Sequence, residues 1–167
     1  MATEICTNCG SNRAKLTRGD YRFLESGLPD VTLRGIELVH CPNCGNVDPI
    51  IPRLTKIMDA LAVAVARKRG PLHATEIKFL RKHTHMPPGE FATAIGVDPN
   101  VVEQWEAGAA RPEPALDRLI RLVSLANSQV PQEQLGELAR SLKMTEGPEG
   151  PAGIAIDPET LAYEYAA

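Results

Sequence analysis

Two CxxC pairs constrain the fold of this 167-residue chain more than any other feature. They are CTNCG, with Cys6 and Cys9, and CPNCG, with Cys41 and Cys44. In each pair two thiolates can converge on one metal ion, and the glycine after the second cysteine permits the backbone turn that this requires. Four thiolates complete a tetrahedron and leave no position open for water or substrate. The spacing therefore predicts one structural Zn²⁺ per chain.

Other uses of the cysteines fit the sequence less well. A thioredoxin-like redox pair would open a helix within a βαβ unit, and the residues around the pairs do not show that pattern. Disulfide bonds are rare in the cytoplasm, where we expect this chain, because MATEICTNCG lacks a basic segment followed by an apolar one. No apolar run approaches the roughly 18 residues of a membrane span. His40 precedes Cys41, but the four cysteines already fill the site, and we interpret His40 as a strand-end residue.

The residues between the pairs predict a small β-ribbon over residues 1–50. DYRFLES and VTLRGIELVHC alternate between apolar and polar residues as half-buried strands do, and SGLPD is typical of a turn. The DPIIPR segment that follows is predicted to be a short extended linker. We expect the apolar layer of the ribbon to consist of Tyr21, Phe23, Val31, Leu33 and Leu38.

The following segments have helical periodicity. LTKIMDALAVAVARKRG carries an apolar stripe from Leu54 to Val65, and we interpret residues 51–70 as a connecting helix that packs on the second domain or on a second copy. Five short helices are predicted within residues 71–144. One of them, PNVVEQWE, follows an Asp98 cap and has Pro99 at its first position, where proline is favourable. Its inward face is predicted to be Val102 and Trp105.

The last segment, residues 145–167, is an acidic Gly/Pro-rich tail that we expect to be disordered in the free protein. The predicted fold class is therefore α+β: a small zinc-bound β-ribbon followed by an all-α domain of five short helices.

Charge is distributed unevenly along a chain whose net charge is -3. Residues 51–86 hold eight Lys/Arg against two Asp/Glu, whereas residues 127–167 hold two against seven. A solvated helix face and a phosphate-facing stripe both fit the basic segment. Its main cluster is Arg67, Lys68, Arg69, Lys78, Arg81 and Lys82.

The segment GEFATAIGVDPNVVEQWEAGAARPEPALDRLIRLVSLA resembles an Xre/Cro-type helix-turn-helix. The order of a CxxC…CxxC ribbon followed by this segment is similar to the MqsA (YgiT-type) antitoxins, and YRFLESGLPDVTLRGIELVHCPNC resembles their ribbon. The resemblance covers roughly residues 5–126. It implies a type II antitoxin that forms a homodimer, represses its own operon by binding operator DNA, and binds a partner toxin of the ribonuclease class, often through the zinc domain.

The chain departs from the Xre/Cro pattern at two places. Pro87 and Pro88 stand where the pattern has a hydroxyl residue and glutamine, and proline lacks both a side-chain donor and the backbone N–H. Val101 and Glu103 replace hydroxyl residues in the expected recognition helix.

Six residues are nevertheless candidates for DNA contact. Asn100 and Gln104 can each pair bidentately with adenine, so we expect them to read bases. We expect the phosphate contacts to be Lys78, Arg81, Lys82 and Arg111.

We weigh two functions, the first of which is the one that the resemblance implies. The first is a DNA-binding transcriptional autorepressor and antitoxin that also binds a toxin. The alternative is a protein-interaction module with weak or lost DNA binding. This alternative is favoured by the two prolines and by the excess of acidic over basic residues in 87–126. We do not expect an enzyme, because His73, His83 and His85 lie in one stretch without a paired nucleophile or an open metal position.

Overall fold

The amino-terminal part of the chain folds as a β-ribbon with two additional strands. The computed structural model describes residues 3–127, 131–141 and 147–166. The first strands are β1 (Thr3–Glu4), β2 (Ala14–Arg22), β3 (Val31–His40) and β4 (Val47–Ile50). β2 and β3 pair antiparallel along most of their length. β1 pairs with the start of β2, and β4 pairs with the end of β3.

The ribbon differs from the sequence prediction at its turn and at its linker. β3 covers the predicted VTLRGIELVH, but β2 starts at Ala14 and ends before Phe23, which leads into a 3₁₀ turn at Leu24–Ser26. Phe23 and Ser26 are buried, because this turn folds against the core instead of continuing along the strand. The predicted linker begins within β4, which is paired with β3.

Six helices follow in the described part of the chain, and their number and order match the predicted connecting helix and five short helices. They are α1 (Leu54–Arg67), α2 (Ala74–His83), α3 (Pro88–Ile95), α4 (Pro99–Glu106), α5 (Pro114–Ala126) and α6 (Gln132–Ser141). α1 packs against α2, α5 and α6 of the same chain. Its residues 61–66 are all buried, whereas Leu54 at its start is 49% exposed. Among the described residues, no helix has both the length and the apolar character that crossing a membrane requires.

The tail returns to the ribbon and extends its sheet. β5 (Ile154–Ile156) pairs parallel with the start of β3, beside β4 on the same edge, and β6 (Tyr163–Tyr165) pairs antiparallel with β5. Over residues 3–127, 131–141 and 147–166 the sheet has six strands in the order β1-β2-β3-β5-β6, with β4 paired to β3. The prediction of a disordered tail is therefore wrong for residues 147–166, because Ile154 and Ile156 bury their side chains in the core. Residues 142–146, where the tail was predicted to start, lie outside the described residues.

One hydrophobic core joins the turn end of the ribbon, the helices and the tail. From the ribbon it takes Phe23, Leu28, Val31, Leu33 and Ile36. A second, small cluster lies at the other end of the ribbon and consists of Cys6, Ala14 and Cys41, with Val39 against it. The ribbon is therefore held by the helices at its turn end and by the cysteines at its open end.

Candidate metal centre and candidate nucleic-acid interface

The four predicted ligands, Cys6, Cys9, Cys41 and Cys44, form one cysteine cluster. Every Sγ lies within 4.8 Å of the other three. The Sγ atoms of Cys6 and Cys44 are 3.6 Å apart, and those of Cys9 and Cys41 are 3.7 Å apart. The cysteines are not joined by disulfides, which would need an S–S distance of about 2.05 Å. The cluster can hold a metal ion.

The two CxxC loops have the same backbone geometry. The N–H of Gly10 donates to the carbonyl of Cys6, and the N–H of Gly45 donates to the carbonyl of Cys41, both at 2.9 Å. Gly10 and Gly45 have φ values of 69° and 73°, in the left-handed region that glycine adopts without steric cost. The repeated pattern C-x-N-C-G therefore builds the same loop twice, and the two loops face each other.

Two asparagine side chains, one from each loop, contact a cysteine sulfur of the opposite loop. The Nδ2 of Asn8 lies 3.6 Å from the Sγ of Cys44, and the Nδ2 of Asn43 lies 3.6 Å from the Sγ of Cys9. A backbone hydrogen bond from Ser11 and the Asn43 amide lower the pKa of Cys9 to about 6, since a donor stabilises the thiolate. Neither asparagine is among the residues that the sequence predicts for this site. The signal that reveals them is the Asn before the second cysteine in both CTNCG and CPNCG.

The cluster is attached to the sheet on one side and open to solvent on the other. Cys6 and Cys41 are buried, whereas Cys9 and Cys44 are exposed. The Oγ1 of Thr7 donates to Asp48 at 2.6 Å, which joins the first loop to β4. His40 ends β3 and is exposed, as expected for a strand-end residue.

α3 and α4 pack against each other and are joined by residues 96–98. Gly96 ends α3 with a φ of 75°. The side chain of Asp98 accepts a hydrogen bond from the N–H of Asn100 at 2.9 Å, so the predicted cap is confirmed. Val102 and Trp105 are buried, as predicted from their spacing. The inward face of α4 is thus held against the helical core.

The outward face of α4 carries polar side chains. Asn100, Glu103 and Gln104 are exposed, and within the described part of the chain their side chains make no hydrogen bond or ion pair. Asn100 and Gln104 are four residues apart and therefore lie on the same side of the helix. Both predicted base-reading side chains can thus be reached by a partner.

Two of the four predicted phosphate contacts already bind carboxylates of the same chain. Arg81 is buried, and its Nη2 donates to the carboxylate of Glu106 at 2.9 Å. Its Nη1 donates to the carbonyl of Met86 at 3.0 Å. Arg111 is exposed and pairs with Glu149 at 3.1 Å. The sequence pattern could not show these pairs because the partners are distant in sequence.

The other two predicted phosphate contacts, Lys78 and Lys82, are exposed on α2. Neither side chain makes a hydrogen bond or ion pair with a described residue. Both line an open cleft of about 890 Å³ between α2, α1 and the 3₁₀ turn, and neither Asn100 nor Gln104 lines it. The structure therefore does not bring these lysines and the base-reading side chains to one cleft.

The basic segment does not form one continuous surface. Lys68 is buried, with its Nζ 2.6 Å from the carboxylate of Glu76. Arg67 pairs with Glu137 of α6 at 2.8 Å. Part of the positive charge of residues 51–86 is thus used in ion pairs within the protein, so neither a solvated face nor a phosphate-facing stripe describes the whole segment.

Comparison of the chain with protein-family models, with curated proteins and with solved structures gave no match in any of the three. The resemblance of the sequence to MqsA-type antitoxins stays a prediction.

Proposed function

We propose that the cysteine cluster binds one structural Zn²⁺ per chain. In a tetrahedral site with Zn–S bonds of about 2.3 Å, neighbouring sulfurs lie about 3.8 Å apart. Two of the sulfur–sulfur separations, 3.6 Å and 3.7 Å, are close to this value, and all of them are within 4.8 Å. Four thiolates leave no open position for a substrate, and amide donors around the sulfurs are typical of the shell that supports a bound metal. The ion would therefore join the two loops and not take part in catalysis.

Metal analysis tests this assignment. Protein purified without added metal should contain one zinc per chain, and the double variant Cys9→Ser/Cys44→Ser should lose it. The matched control is His40→Ala, which removes a potential ligand beside Cys41 but outside the cluster and should keep the zinc. Binding of Co²⁺ in place of zinc should give the intense thiolate-to-metal absorption of a four-sulfur site. Full zinc retention by the double variant would contradict the assignment.

We further propose that the protein is a DNA-binding transcriptional autorepressor of the antitoxin type. The observation that supports DNA binding is the arrangement of α4. Asp98 caps this helix, its inward face packs on the helical core, and Asn100 and Gln104 are exposed on the outward face. In a helix-turn-helix protein, the second helix inserts side chains near its N-terminus into the major groove. Asparagine and glutamine there can recognise adenine by two hydrogen bonds.

The proposed DNA surface is smaller than the six residues predicted from sequence. It retains Asn100, Gln104 and Arg111. The exposed pair of Arg111 with Glu149 contributes no more than about 1 kcal/mol, so a phosphate can replace the carboxylate. Arg81 is left out because its guanidinium is buried against Glu106. In this proposal two copies of the chain bind half-sites about one helical turn of DNA apart.

A salt titration tests DNA binding. Fluorescence anisotropy compares the DNA upstream of the protein's own gene with a duplex of the same composition in shuffled order. Tighter binding to the upstream DNA, weakening steeply as salt rises, is expected. Gln104→Ala should reduce the discrimination by about 1–3 kcal/mol. Glu133→Ala, an exposed substitution on α6, should leave it unchanged. Equal affinity for the two duplexes would contradict the proposal.

The alternative, a protein-interaction module with weak or lost DNA binding, has a specific observation in its favour. Arg81 and Arg111, which a repressor of this kind would direct at phosphates, each bind a carboxylate of the same chain. Absence of DNA binding at low salt, with zinc present and the fold intact, would favour this function.

Toxin binding is tested separately from DNA binding. The product of a neighbouring reading frame should co-purify with the chain and lose its ribonuclease activity in the complex. Failure to form any complex would remove the antitoxin assignment but would not affect the DNA titration.

A further inference from the structure

The cleft between α1, α2 and the 3₁₀ turn has an apolar floor. Leu54 and Met58 of α1 and Phe79 of α2 line it. Leu54 is 49% exposed, so its side chain can be reached by a ligand in the cleft. The ring of Phe79 stacks on His83, with ring centroids 6.2 Å apart. The volume of about 890 Å³ is within the range of ligand-binding sites.

The acidic side chains of the cleft already have partners, whereas the lysines do not. Each acidic group is engaged by another side chain of the protein: Asp59 by His83 at 3.3 Å, Glu106 by Arg81, and Glu25 by the hydroxyl of Tyr21. Lys78 and Lys82 make no such contact within the described part of the chain. These two lysines are one helical turn apart on α2. Their charges are therefore available to a ligand.

We propose that this cleft binds an acidic amphipathic segment of a partner protein. Two carboxylates one helical turn apart would face Lys78 and Lys82, and apolar side chains of the same segment would cover Leu54 and Met58. The proposal goes beyond DNA binding, because it uses none of the residues of α4 that would read bases.

The lining favours a peptide over a nucleic acid. Phosphates follow one another along a nucleic acid strand, and those that passed Glu25 and Asp59 would meet carboxylates. A nucleic acid backbone also brings no apolar group to Leu54 and Met58. A peptide can place its acidic and apolar side chains separately, so it can match both the lysines and the floor.

Peptide binding provides the test. The probe is a fluorescein-labelled helical peptide that has two Glu residues one helical turn apart and Leu residues, also one turn apart, beside them. Its binding to the full-length zinc-loaded protein is measured by fluorescence anisotropy at physiological salt. Lys78→Glu/Lys82→Glu should weaken binding by at least about tenfold, since two charge pairs are reversed. Lys15→Glu/Lys56→Glu changes the net charge equally at exposed lysines that do not line the cleft and should bind like the wild type. A peptide with Lys in place of Glu should bind the Lys78→Glu/Lys82→Glu variant better than the wild type.

A second pair of variants tests the apolar floor. Leu54→Ser should weaken peptide binding, whereas Leu16→Ser, at an exposed leucine of β2 outside the cleft, should not. Circular dichroism and zinc content show whether each variant is folded. Equal peptide binding by the two lysine double variants would overturn the proposal. The proposal would also be overturned if Lys78→Glu/Lys82→Glu lost DNA affinity but kept its peptide affinity. That result would assign the two lysines to the DNA surface. Loss of peptide binding with unchanged DNA binding supports it.

Discussion

At the scale of single residues, the buried charges are the part of the protein that its sequence patterns describe least well. Lys68 and Glu76 are 5% and 1% exposed and form an ion pair of 2.6 Å. The Glu76 carboxylate also accepts hydrogen bonds from the N–H groups of His73 and Ala152, both at 2.8 Å. Burial of a charge is tolerated when its partners replace the lost water. Here those partners lie directly after α1, directly before α2 and in the tail, so one carboxylate of α2 connects these three segments.

Removing the charge of Glu76 should therefore destabilise the whole protein. Glu76→Gln keeps the size of the side chain but leaves the ammonium of Lys68 buried without a counter-charge, which should cost about 3–5 kcal/mol. The measurement is the free energy of unfolding in urea with zinc bound. Glu90→Gln, at an exposed position of α3, is the control and should change it by less than about 0.5 kcal/mol. A similar small change in Glu76→Gln would show that the pair is not buried in solution.

His83 should make stability depend on pH. Burial lowers the pKa of His83 below its ordinary value, and Asp59 opposes this only in part. The unfolded chain then binds the proton more readily than the folded chain as pH falls through about 6.5. The stability contributed by neutral His83 is complete above that pH and is lost as pH falls below it.

The measurement is the urea midpoint at about pH 7.5 and about pH 5.5. His83→Gln should lose less stability over this interval than the wild type. An unchanged pH dependence in His83→Gln would contradict the burial of the ring.

At the scale of elements, helices such as α4 could be predicted because a cap and a regular apolar spacing mark them. Strand β5 was not predicted, because its segment has no such local signal. α4 has a capping Asp98, a Pro99 at its first position and a regular apolar spacing, so its start and inward face follow from neighbouring residues. β5 has three residues in a segment rich in Gly and Pro, and no local pattern marks it as a strand. It is a strand because β3 offers an unpaired edge and the core accepts its side chains.

Ile156 tests whether the tail is part of the fold in solution. Its side chain is fully buried, so Ile156→Ala should cost about 2–5 kcal/mol of unfolding free energy. Glu159→Ala, at an exposed position of the same tail, should cost less than about 1 kcal/mol. Equal, small effects of the two substitutions would show that residues 147–166 are not packed on the sheet.

At the scale of the whole molecule, the two ends of the ribbon depend on different interactions. The turn end shares the main core with the helices, whereas the open end has a small cluster around Cys6, Ala14 and Cys41. Such a small cluster contributes little hydrophobic stabilisation, so the proposed metal would supply most of the free energy that holds this end.

Metal removal should therefore unfold the ribbon in part. After chelation, hydrogen exchange should become fast at residues 5–16 and 38–48, while Val31, Leu33 and the helices stay protected. The helical circular dichroism signal should persist. Hydrogen–deuterium exchange with and without chelator measures this, and readdition of zinc should restore protection. If chelation removed hydrogen-exchange protection throughout the protein, or changed it nowhere, the two ends of the ribbon would not depend on separate clusters, and the prediction would be wrong.

The sequence by itself determined the cysteine cluster, the number and order of the helices, and the inward face of α4. These features depend on residues that are close together or on a repeated motif, so spacing and capping signals are enough to predict them. The tertiary structure decided which basic residues remain available and where the tail lies. Arg81 with Glu106, Arg111 with Glu149 and β5 with β3 all join residues that are distant in sequence. Such pairings depend on how the helices and strands pack together, so they cannot be predicted from the residues next to each partner in the sequence.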